Sequence, residues 1–213
     1  MAFTAKDVMN LREKSGAGML DCKKALQDAD GDMEKAAELL RERGIAKAVK
    51  KEGRIAAEGV VGAYVSGNTG VLLEINCESD FVSKGEKFHG IVDAVAKVVA
   101  ENKPADVAAL EACPMEGGTV KDFITSQTAV IGEKISIRRF EIIETAGKIE
   151  TYIHMGGKVG VMVEALDAAE GCETTLHDVA LQIAAARPSY ITKEEVPAEV
   201  LEKEKEILLV QMQ

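Results

Sequence analysis

Apolar residues recur first at helical spacing, then in short alternating runs, then at helical spacing again. Thr4 to Gly44 reads as three short helices. Thr4 caps the first, with Asp7 at the third helical position, Phe3 able to staple across to Val8, and Val8, Met9 and Leu11 giving an apolar side. Gly16-Ala17-Gly18 breaks the pattern; Met19, Cys22, Leu26 and Ala29 resume it until Asp30-Gly31. Asp32 caps a third helix with Met33, Ala36, Ala37 and Leu40 in one stripe, and Gly44 has the position just past a helix end. Ile45, Ala48 and Val49, with Lys47, Lys50, Lys51 and Arg54, then continue as a helical linker.

At Gly59 the period changes from helix to strand. Val60–Val65 and Val71–Asn76 flank Ser66-Gly67-Asn68-Thr69-Gly70, a hairpin signature. Phe88, Ile91, Val92, Val95 and Val99 mark an amphipathic helix facing a core. Pro104 and Pro114-Met115-Glu116-Gly117-Gly118 punctuate two further helical pieces, the second Val120 to Val130, and Lys134 to Ile143 returns as a strand. Thr151 to Glu164 then parallels Ala63 to Glu74: strand, glycine-containing turn, strand, acidic junction, helix up to Pro188. This internal duplication gives an α+β fold with antiparallel strands: a three-helix head with its linker at 1–55, a first α+β half at 56–146 and a second at 147–213. In the tail, Thr192 and Glu195 have capping-box spacing, Pro197 suits a first turn, and Glu199 to Met212 is helical, stopping at Gln213 with no cap.

One junction stands out, Cys77-Glu78-Ser79-Asp80-Phe81-Val82, between the apolar run Val71–Ile75 and a helix beginning near Ser83. Ser83 and Glu86 have the spacing of a capping box, which puts Asp80 and Phe81 outside the helix, on the loop. The positive end of a helix dipole accounts for an aspartate there, but not for a phenylalanine. Either Phe81 folds under as core, or it awaits another protein's pocket. The corresponding place in the second copy, near Ala168-Ala169, has no ring.

Composition narrows the function by exclusion. At 46% hydrophobic and 29% charged the chain is a globular protein, without the run of about 18 apolar residues a membrane helix needs. With no targeting pattern at its start, the cytoplasm is the expected location. Cys22, Cys77, Cys113 and Cys172 lie far apart with no Cys-x-x-Cys pair, so neither zinc nor a disulfide framework is expected. The net charge of −10 opposes broad nucleic-acid binding, although residues 1–55 carry 12 Lys/Arg against 10 Asp/Glu. Gly16-Ala17-Gly18 follows no strand, and no Gly-Lys-Ser/Thr follows a glycine-rich loop, so no bound nucleotide, cofactor or metal is expected. His89 and His177 fall within helices, while His154 lies at a hairpin tip, available for a contact. No nucleophile or acid-base constellation appears, which favours a protein that acts by binding.

Three stretches carry a family resemblance. Leu11 to Leu26, Glu74-Ile75-Asn76-Cys77-Glu78-Ser79-Asp80-Phe81-Val82, and Ile131-Gly132-Glu133-Lys134-Ile135-Ser136-Ile137-Arg138-Arg139 resemble, in that order, signatures of the elongation factor Ts family. The resemblance implies a ubiquitin-associated-like head before two related α+β subdomains, and nucleotide exchange on the GTPase elongation factor Tu. It implies that Arg12, Met19, Leu20 and Lys23 dock the head on the GTPase domain, with Leu20 where methionine is usual. Asp80 and Phe81 match the family's intruding pair, flanked by Val82 and by Ser79 in place of threonine. Phe81 would wedge between helices beside the nucleotide site while Asp80 disturbs the magnesium region. Ile131 and Gly132 would lie nearby, and His154 would face the partner's remote β-barrel domain. Longer family members continue with a helical hairpin and a returning segment, so the second half is expected to be incomplete at its C-terminal end.

Two other readings compete. The head could be a peptide-binding adaptor that makes Phe81 irrelevant, or a deep pocket could gather His154 with acids in a small enzyme.

Overall fold

The computed structural model describes residues 3–115 and 117–212. Helix α1, Ala5–Ser15, starts as its sequence dictates: the Thr4 hydroxyl accepts the Asp7 N–H, and the Asp7 carboxylate accepts the Thr4 N–H at 2.7 Å. Phe3 and Val8 join one cluster, as the staple requires. Gly16, at φ 64°, ends α1 in the left-handed conformation, and its N–H donates to the Arg12 carbonyl. Helices α2, Met19–Asp28, and α3, Met33–Val49, complete the head around Val8, Leu11, Cys22, Ala25, Leu26 and Ala36.

The first α+β half follows. Strands β1, Glu58–Ser66, and β2, Thr69–Cys77, pair antiparallel across a two-residue turn, Gly67-Asn68. A single turn of helix, α4, Asp80–Ser83, leads into α5, Glu86–Asn102, whose Phe88, Ile91, Val92, Val95 and Val99 are all buried on the hairpin. Helix α6, Val107–Ala112, and a short ribbon of β3, Pro114–Met115, and β4, Gly118–Thr119, precede α7, Val120–Ile131. Glu116, between them in sequence, lies outside the described residues. Strand β5, Ser136–Glu144, then pairs antiparallel with β2, giving the order β1-β2-β5.

The second half repeats the plan with less cover. Strands β6, Lys148–His154, and β7, Val159–Ala165, form a hairpin on which α8, Glu173–Ala186, lies, with Val161, Ala180 and Ala184 as its buried core. The hairpins of the two halves touch: the Val61 N–H donates to the Gly157 carbonyl at 2.7 Å, and Lys158 pairs with Glu58 at 2.6 Å. Gly157, at φ 96°, is required there, because a methyl group would stand 2.5 Å from the Val60 side chain. Among the described residues no helix is long and apolar enough to cross a membrane.

Three sequence expectations fail in the head, the linker and the tail. Gly44 does not end α3, which runs on to Val49; a methyl at 44 would lie 3.2 Å from Ala129 on α7, so this glycine permits close helix packing of head on body. The linker is not helical through Arg54. It turns after Val49 because the Lys134 ammonium, on the body, grips the carbonyls of Glu52 and Arg54 at 2.7 and 3.0 Å. Thr192 and Glu195 do not cap the last helix, α9, Ala198–Gln211, but hold a single 3-10 turn, Lys193–Glu195. Pro197 forces Val196 into extended backbone and separates the two. Gln213, where the tail pattern stops, lies outside the described residues.

Helix α7 begins with a second reciprocal box, Thr119 with Asp122. In both boxes the backbone N–H bond, then the threonine hydroxyl, holds the aspartate below the usual carboxylate range. A carboxylate lowered by folding stabilises the fold fully above its unfolded value near pH 4, and the benefit is lost as pH falls through the lower folded value. Urea midpoints measured from about pH 5 to 2 should therefore fall, and Asp122→Asn should flatten that fall while lowering stability at neutral pH; an unchanged slope would contradict the role of the box.

Candidate functional site

The junction after β2 is built from two helix starts in close succession. The Ser79 hydroxyl accepts the Val82 N–H and caps α4, so Asp80 and Phe81 open a helical turn rather than occupying a loop. The Ser83–Glu86 box does not form. Ser83 is buried with its hydroxyl donating to the Asp80 carbonyl, and Gly85 precedes α5 without a side-chain cap. Successive helical residues are rotated by about 100°, which separates the four side chains. Val82 packs against the core and Ser83 is buried, while Asp80 and Phe81 face solvent.

Phe81 is 86% exposed, on a backbone held at both ends. That excludes the core reading of the ring. Beside it, Lys84 bonds the Asp80 carboxylate at 2.7 Å and holds its pKa below the ordinary aspartate value. The spacing is the favourable acid-then-base pair one helical turn apart.

Behind the turn, two carboxylates cross. Glu133, next after Gly132 at the end of α7, accepts the Glu78 and Ser79 N–H groups on Oε2 at 3.1 and 3.0 Å, and the Ser79 hydroxyl on Oε1 at 2.6 Å. Glu78 returns the bond, its Oε1 accepting the Lys134 N–H at 2.6 Å, with Arg54 alongside at 3.3 Å. The Lys134 N–H, then Arg54, hold Glu78 below the ordinary glutamate range. Nothing in the sequence marks Glu78 or Glu133 for this role; their spacing from their partners, 54 to 56 residues, leaves no local signal.

The clasp sets Ile131 and Gly132 behind the Asp80-Phe81 turn, with Ile131 half-buried against the first core and Gly132 exposed at φ 86°. The head residues sit on a different element. Arg12, on α1, and Met19, Leu20 and Lys23, on α2, are all exposed, Leu20 at 83%. Met9, which the sequence counts on the apolar side of α1, is instead exposed and lines a shallow hollow with Arg12 and Glu13. His154 ends β6, exposed, on the second half. Its Nδ1 lies 2.8 Å from the Tyr152 hydroxyl, and Tyr152 also stacks edge-on against His177, which pairs with Glu150 at 2.9 Å. Tyr152 and His177 thus fix a histidine that the sequence left free at a hairpin tip.

Met9, Met19, Leu20 and Phe81 are therefore exposed at separate places on the head and first half, each on a helix. Among the described residues no cluster of three or more His, Cys, Asp or Glu could hold a metal. The profile of elongation factor Ts matches residues 78–213. The elongation factor Ts of Trichlorobacter lovleyi is 49% identical over 97% of this chain and 70% of its own length. Those of Syntrophotalea carbinolica and Burkholderia multivorans are each 48% identical, over 98% and 97% of this chain and 71% and 69% of theirs.

The chain belongs to the elongation factor Ts family.

Membership makes it a translation elongation factor and not an enzyme of bond chemistry. The fold agrees with that of an elongation factor Ts protein: three helices, then antiparallel strands with helices on them. Within this member, Cys77 at the base of the Phe81 turn is fully buried, its thiol donating to the Ser79 carbonyl at 3.3 Å. Burial, then the neighbouring Glu133, pushes that thiol up to about 11. Iodoacetamide at about pH 8 should therefore modify the half-buried Cys113 and Cys172 of the folded protein and spare Cys77 until urea is added, as read by peptide mass. Labelling of Cys77 at the rate of Cys172 would show that the base of the turn opens.

Proposed function

We propose that the chain is a guanine nucleotide exchange factor that binds elongation factor Tu in the cytoplasm and promotes GDP release. The single observation supporting this is Phe81, a large ring held outward on a capped turn whose next two residues are anchored in the core. Such a ring loses nothing by leaving water for a partner's pocket, and the rigid turn lets its insertion displace the partner's helices instead of bending its own support.

The work is divided among the three parts of the chain. Arg12, Met19, Leu20 and Lys23 dock the head, residues 1–55, on the GTPase domain. Ser79, Asp80, Phe81 and Val82 form the intruding turn of the first half, residues 56–146, with Phe81 as the wedge, Asp80 disturbing the magnesium region, and Ser79 and Val82 supporting them. Ile131 and Gly132 lie against the partner behind that turn, and His154, on the second half, residues 147–213, meets its β-barrel domain. The chain itself holds no nucleotide, nucleic acid or membrane.

The mechanism is coupling. A complex that favours the GTPase conformation with misplaced magnesium and phosphate contacts lowers the affinity for GDP, and GDP must lower the affinity for the factor by the same ratio. Each tenfold of weakening requires about 1.4 kcal/mol of differential interaction. Burying one phenylalanine gives roughly 1.5–3 kcal/mol, so the ring supplies one to two decades and the head and second half supply the rest.

Release of fluorescent GDP from elongation factor Tu tests this. Phe81→Ala should slow the stimulated release by about 10- to 100-fold, with an unchanged melting temperature because the ring covers nothing of its own fold. No stimulation by the wild-type chain, or full stimulation by the variant, would overturn the reading.

A further inference from the structure

We propose that Glu78 and Glu133 are positioning residues for exchange: their crossed carboxylates lock the Asp80-Phe81 turn to the Gly132 turn and fix the direction in which the ring is presented. The inference rests on the function proposed above and adds the part of the chain that resists the wedge's recoil.

A ring can open a gap in another protein only if its own support is stiffer than the gap. Helix α4 has four residues, too short to be rigid by itself, and β2 ends at Cys77. Between them, the backbone N–H groups of Glu78 and Ser79 are taken by the two-pronged Glu133 carboxylate, which also receives the Ser79 hydroxyl. In turn that hydroxyl oxygen caps α4 through the Val82 N–H. A continuous chain of hydrogen bonds thus runs from α7 through Glu133 and Ser79 into the turn that carries Phe81. Glu78 closes the loop in the opposite sense through the Lys134 N–H, and Lys134 and Arg54 tie the same knot to the segment leaving the head.

Charged acceptors on backbone N–H groups make shorter and stronger bonds than neutral ones. They are half-buried in this clasp, so removing one side chain leaves donors short of partners. Four donors and Arg54 converge on the two carboxylates. Charge is not the essential property of Glu133. A glutamine could place its single oxygen on the two N–H groups and turn its NH₂ toward the Ser79 hydroxyl oxygen, whereas alanine can do neither.

The chain has no tryptophan, so Phe81→Trp introduces a single reporter at the tip. In the free chain carrying Phe81→Trp, fluorescence anisotropy decay should show an indole turning about its own side-chain bonds on a fixed backbone. Adding Glu133→Ala should add a nanosecond motion of the turn itself, lowering the residual anisotropy, and Glu133→Gln should restore the restraint. Glu78→Ala, which breaks one arm only, serves if circular dichroism shows that Glu133→Ala does not fold. This arm needs no partner, so it stands apart from the exchange reading.

With Phe81 in place, Glu133→Ala should lower the maximal stimulated GDP release about tenfold while the half-saturating concentration stays within about threefold, because the head contacts are untouched. An indole equally restrained in Glu133→Ala and its parent would overturn the proposal. So would Glu133→Gln behaving like alanine, or a loss of release confined to the half-saturating concentration.

Discussion

The structure depends on an exchange of carboxylates between segments about 55 residues apart: Glu133 over the Glu78 and Ser79 N–H groups, Glu78 under the Lys134 N–H. Everything around the exposed ring is organised by it. The end of β2, the cap of α4, the end of α7, the start of β5 and the segment leaving the head meet at this one knot. An outward phenylalanine is ordinarily a liability, since it offers an apolar surface to any passing molecule. Here it stands on a capped, clasped turn.

The two halves share a plan and differ in what that plan supports. In the first, a third strand and a helix with eight buried side chains back the hairpin, and the junction after it is clasped. In the second, two strands and one helix enclose three buried residues, and the junction passes through an uncapped turn to α8. The half with the larger buried core carries the ring. The lighter half contributes His154, whose orientation comes from Tyr152 rather than from a core. That division suits the proposed function, with a wedge in one place and a tether in another, because insertion must resist force while a tether need only add binding energy.

Much of the fold was legible because it is local. The Thr4–Asp7 box, the hairpin at Ser66–Gly70 and the Phe88–Val99 stripe each announce themselves within a dozen residues, and each is present, the hairpin with a tighter turn of two residues. Phe81 was legible as an anomaly, though its sequence left core and surface open; the 100° steps of a one-turn helix decide it. What was misread depends on tertiary contact or on competing local signals. Gly44 looks like a stop and is a contact with Ala129; Ser83 looks like a cap, but Ser79 takes that role one turn earlier. Glu78 and Glu133 gave no sign of their pairing, because a glutamate on a loop has the same appearance whether it is solvated or bound to a backbone far along the chain.

Under the proposed function Phe81, rigidly presented, couples binding of the chain to loss of the partner's nucleotide. The most direct measurement is the ratio of dissociation constants of the chain for GDP-bound and nucleotide-free elongation factor Tu, taken for wild type and Phe81→Ala. Coupling through the ring predicts that the substitution weakens binding to the nucleotide-free form the more strongly, shrinking the ratio by about tenfold or more. Equal weakening of both forms, leaving the ratio unchanged, would contradict it and make Phe81 an ordinary contact.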